Sequence, residues 1–71
     1  MERVEAGMSV VGTSGRRIGV VSDVAPGALR IKLTASTDIW IEATAVFTVE
    51  DDRVTLICEE DGLHRYRVNG G

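Results

Sequence analysis

Residues 10–24 read VVGTSGRRIGVVSDV, and this stretch constrains the fold more tightly than any other. Two β-branched runs flank Gly12-Thr13-Ser14-Gly15, which predicts two strands joined by a tight turn. The first strand is expected at Met8 to Val11 and the second at Arg16 to Val24. Ile18 and Val21 lie three residues apart, so a regular strand would point them to opposite faces. A β-bulge at Gly19 would let both point inward. The same parity puts Val20 outside. A buried strand, a glycine turn and a bulged return strand are the opening of a small barrel. Gly12, Gly15 and Gly19 are therefore read as turn and bulge residues. They lack the spacing of a dinucleotide fingerprint or a P-loop, and a strand follows them where those motifs need a helix.

The rest of the chain continues in short strands. Ala25-Pro26-Gly27 is a turn, because proline fixes φ and lacks a donor. From Ala28 to Thr34, Leu29, Ile31 and Leu33 alternate with Arg30, Lys32 and Thr34, the pattern of a strand buried on one face. Asp38 to Glu42 alternates again, with Ile39 and Ile41 inward. Ala43 to Val46 suits one helical turn, and Phe47 to Val49 a short extended piece. After the acidic turn Glu50-Asp51-Asp52, Arg53 to Cys58 forms a strand with Val54, Leu56 and Cys58 inward. Residues 59–68 fit a helical start, a loop or a last short strand at Tyr66 to Val68. Asn69-Gly70-Gly71 is expected to fray. Strands at this spacing predict an all-β barrel.

A chain of 71 residues makes one domain, 1–71, with a core near the lower limit of self-sufficiency. Small domains add a disulfide, a metal or a partner. One Cys and one His allow neither an internal disulfide nor a four-ligand zinc site. A second subunit remains, so a homodimer is expected, with no metal or cofactor. The net charge of −3 disfavours nucleic acid and an anionic membrane surface. No apolar run reaches the roughly 18 residues of a membrane span. The opening MERVEAG has no apolar signal region, and a free cysteine agrees with a reducing compartment. A cytoplasmic protein is expected.

The motif Gly15, Ile18-Gly19, Val21, Asp23-Val24 resembles the first hairpin of PRC-barrel domains. The later piece, IKLTAS…IWIEATAVFTVEDDRVTL, resembles their second half, so the likeness covers residues 8–58. The nearest flavour is a small uncharacterised bacterial branch of that superfamily. The chain departs from that branch at Glu42, where a proline is usual, and at Ala45, where an aromatic is common. The resemblance implies an all-β, PRC-barrel-like (SH3-like) antiparallel barrel of about five to six strands with one short helical turn. It also implies a binding or scaffolding role without catalysis, although fold alone does not choose among such roles. No ligand residue carries over.

Three groups of residues invite a functional reading. Cys58 and His64 would suit a nucleophile and its base, but an inward-facing thiol in apolar surroundings is inert. Arg16, Arg17, Arg30 and Lys32 would make a basic patch, although such charges are ordinary on the wet face of a sheet. Val20, Trp40 and Ile57 alternate with the core set and so point outward. With Phe47 they form the candidate partner or dimer surface, since tryptophan is enriched at binding hot spots. The expected function is a self-associating, non-enzymatic protein-interaction module. The alternative is an SH3-like module that binds RNA.

Overall fold

A computed structural model describes residues 3–68; the expected fraying of Asn69-Gly70-Gly71 lies outside them. The elements are β1 (Ser9–Val11), β2 (Arg17–Ala25), β3 (Ala28–Thr34) and β4 (Thr37–Glu42). A 3₁₀ turn at Ala43–Ala45 leads into β5 (Val46–Glu50), β6 (Arg53–Leu56) and a 3₁₀ helix at Glu60–Tyr66. The fold is all-β, as the alternation predicts, and the single helical turn falls where expected.

The six strands form one sheet in the order β4-β3-β2-β1-β6-β5. The expected purely antiparallel barrel needs correcting. β1 pairs with β6 in parallel, Val10 opposite Val54. The sheet is therefore mixed, and β4 and β5 are left as its two edges. A parallel pair needs a long connection, and everything from β2 to β5 supplies it.

The inner face follows the predicted alternation. Val10, Val21, Leu29, Ile31, Ile41, Val54 and Leu56 are fully buried, while Leu33, Ile39 and Cys58 are only partly buried against them. Each fully buried aliphatic side chain contributes roughly 1.5–3 kcal/mol by leaving water. Cross-strand register stacks them in rows: Val21 faces Ile31, which faces Ile39, and Leu29 faces Ile41.

Ile18 and Val21 are both buried, as predicted, but the bulge is not at Gly19. Val10 opposes Gly19 and Val11 opposes Arg17, so Ile18 is the extra residue against β1. A second irregularity, against β3, leaves Ser22 extra. Gly19 has a different reason to lack a side chain: a Cβ there would collide with the Lys32 carbonyl oxygen of β3. Gly15 fits its turn role directly, with φ +86°, a region costly for other L-residues.

Candidate functional site

The hydrogen-bonded register runs across the whole outer face. One row reads Asp38, Lys32, Val20, Ser9, Arg53, Glu50 from β4 to β5. Opposite charges sit side by side at both ends, a favourable cross-strand pattern. Val20 lies mid-row between Lys32 and Ser9 and is half-buried.

Trp40 lies on β4 opposite Arg30. The Arg30 guanidinium carbon stands 5.7 Å from the ring centroid, within cation–π range. Arg30 Nε also donates to Ser22 Oγ at 3.1 Å and lies 3.6 Å from Asp38 Oδ2. The bulged Ser22 thus helps hold Arg30 over the indole, leaving Trp40 half-buried. The same arrangement takes Arg30 out of the expected basic patch. Arg17 and Lys32 remain together along an open groove between β2 and β3, beside Val20 and Leu33.

Phe47 and Ile57 come together at the other end of the sheet. β5 carries a bulge: Val46 opposes Leu56 and Thr48 opposes Thr55, so Phe47 is extra. The ring is thrown outward and is 62% exposed, with Ile57 43% exposed. Together with Thr13, Thr55 and Leu56 they line a shallow, mainly apolar depression. The four residues expected to share one surface therefore divide. Phe47 and Ile57 adjoin at the β5–β6 end, while β3 separates Trp40 from Val20.

The two sheet edges also differ. Along the outer edge of β4, Ile41 pairs antiparallel with Arg67, and the Val68 amide donates to the Trp40 carbonyl at 2.9 Å. Among the described residues, Phe47 to Glu50 make no backbone hydrogen bond outside the β5–β6 ladder. β5 therefore offers free donors and acceptors beside an exposed phenylalanine.

A family model described as "Uncharacterized protein conserved in bacteria (DUF2171)" matches residues 4–64. The chain belongs to that family. No curated protein and no solved structure matches it. Among the described residues no cluster of His, Cys, Asp and Glu is placed to hold a metal. Nor is any helix among them long and apolar enough to cross a membrane.

The Cys58–His64 idea finds no geometric support. The imidazole Nδ1 lies 3.0 Å from the Asp61 carbonyl oxygen, a local contact within the 3₁₀ helix. Cys58 is half-buried, and burial, reinforced by the Glu59 and Asp61 carboxylates, pushes its thiol pKa up. A raised thiol pKa lowers the thiolate fraction that reacts.

One residue with a clear role escaped the sequence reading. Glu59 reaches back to the β1–β2 turn, where its Oε2 accepts from the Thr13 hydroxyl and, at 2.8 Å, from the Ser14 amide. Those two donors hold its carboxyl below the usual carboxylate range. Gly12 makes this possible, because a Cβ at that position would collide with the Glu59 carboxylate. Residues 46 positions apart leave no local signal of pairing. The only trace was a glycine that the turn geometry alone did not require, since Gly15 carries the positive φ.

Proposed function

We propose that this chain is a cytoplasmic, non-enzymatic protein–protein interaction module on a PRC-barrel-like scaffold, which self-associates through its β5–β6 end. The observation that carries this reading is Phe47, 62% exposed beside Ile57 on an edge strand whose outer backbone groups have no partner among the described residues. A lone exposed aliphatic is ordinary. An exposed aromatic on an open strand edge invites association and would otherwise be a liability. A second copy is the occupant we favour, because the domain is small, its one cysteine is free, and surface buried against a second subunit would add to a core of this size. Charge does not oppose the contact, because Glu50 at the end of β5 is already faced by Arg53. The PRC-barrel resemblance supports the same adaptor role, and the free Cys58 supports a reducing compartment.

The test is Phe47→Glu, compared with wild type by size-exclusion chromatography with light scattering. The expected result is a wild-type dimer and a monomeric variant with an unchanged circular dichroism spectrum. A monomeric wild type, or a variant that keeps the wild-type mass, would overturn the reading. The RNA-binding alternative draws on the Arg17–Lys32 groove, against a net charge of −3. Salt-dependent retention on heparin that Lys32→Glu abolishes would favour it.

A further inference from the structure

Beyond Leu56 the chain leaves β6 and crosses to the far edge of the sheet, where it meets β4. Three attachments hold this segment. At its base the Glu59 carboxylate accepts from Thr13 and Ser14. In its middle Leu63 is the one side chain of the 3₁₀ helix buried in the core, with Tyr66 packed at its margin. At its end are the Ile41–Arg67 bridge and the hydrogen bond from Val68 to the Trp40 carbonyl. The segment is a seven-residue 3₁₀ helix. Such helices bond less favourably than α-helices and are uncommon beyond three or four residues. A segment held by so few contacts belongs to the low-stability end of a fold, where local opening occurs.

What it covers gives the segment its interest. Without it the outer edge of β4 would be as open as that of β5, and a sheet with two open edges can extend chain upon chain. We propose that residues 59–68 form a strap, latched to the Thr13–Ser14 turn by Glu59, that opens as a unit about Ile57 and Cys58 and guards the outer edge of β4. This goes beyond the Phe47 surface and does not depend on it. The latch is a charged one. Arg16 shares the cleft and favours the carboxylate, and Glu60 and Asp61 line the same cleft. His64 and Arg65 stand further along the strap, His64 turned to the Asp61 carbonyl. Because the folded carboxyl sits below its ordinary range, the latch is fully closed above that range. It is lost as pH falls through the lowered value. The latch therefore holds at neutral pH and is weakened by acid, with Leu63 and the β4 contacts as the remaining attachments.

Trp40 is the one tryptophan in the chain and its carbonyl is a docking point of the strap, so it reports on opening. The experiment compares wild type, Glu59→Ala and Thr13→Val by amide hydrogen exchange and Trp40 emission. In Glu59→Ala the Gly62 and Val68 amides, which donate to Glu59 and Trp40 carbonyls, exchange several-fold faster. The Val21 amide, bonded to the Met8 carbonyl just before β1, keeps its wild-type rate. Trp40 emission moves to the red, and acid speeds exchange at Val68 in wild type but adds little in Glu59→Ala. Thr13→Val keeps the shape, removes one donor and gives the same pattern more weakly. An unchanged Val68 rate, or equal acceleration at Val21, would overturn the strap. Loss of the Phe47 surface would leave all of these readouts in place.

Discussion

Gly12 and Gly19 each lack a side chain because something else occupies the space. At Gly19 the neighbour is backbone, the Lys32 carbonyl of β3, which cannot turn aside as a side chain can. Gly19→Ala is therefore expected to push β2 and β3 apart and cost about 1–3 kcal/mol, as overpacking does, read by chemical denaturation. At Gly12 the neighbour is the flexible Glu59 side chain. Gly12→Ala should displace the carboxylate and raise its pKa towards the ordinary value, measured by carbon-detected NMR titration. Cys58 should react slowly with iodoacetamide at neutral pH, since burial raises its pKa. Reaction at the rate of a free thiol would contradict that. The inward placing of Ile18 and Val21 was legible because side-chain parity is a local property. The position of the offset was not, since it depends on how β1 and β3 register against β2.

At the scale of elements, the period-2 alternation of Leu29, Ile31 and Leu33 places β3 directly, and Pro26 with Gly27 ends β2 where expected. Gly27 takes φ +76°, as the residue after proline does in a type II turn. The acidic turn is less comfortable. Asp51 and Asp52 have φ values of +54° and +59°, the left-handed pair of a type I′ hairpin, which favours Asn-Gly or Asp-Gly. Asp52→Gly keeps the backbone carbonyl that accepts from the Ser9 amide and relieves a left-handed side chain. It is expected to raise stability by about 1 kcal/mol, seen as a higher thermal midpoint; a lower midpoint would show that the Asp52 side chain contributes more than its strain costs. The 3₁₀ helix at Glu60–Tyr66 was ambiguous in sequence for a physical reason. Gly62 interrupts any α-helical pattern, and the segment's conformation follows from tertiary docking at Leu63 and Arg67.

At the scale of the molecule, the alternation gave a one-sided sheet but not its topology. The parallel β1–β6 pair joins residues more than forty positions apart, and alternation within a strand says nothing of its neighbour. That pairing sends β4 and β5, consecutive in sequence, to opposite edges, which is why the expected surface split. Trp40 was expected outside and is half-covered by Arg30, a partner set by register. Phe47 was named beside Trp40 for the expected surface, and it is the bulge that turns it outward, since regular alternation from buried Val49 would point it inward. With one edge strapped and the other open, the proposed association through β5 would close at two copies. Phe47 is the one phenylalanine in the chain, so its ring can be followed without ambiguity. An isotope-filtered NOE spectrum of a half-labelled, half-unlabelled mixture tests the central claim most directly. Intermolecular NOEs from the Phe47 ring to the methyl groups of Ile57 or Thr55 are predicted. Their absence, in a sample shown by light scattering to be dimeric, would place the interface elsewhere and contradict the account.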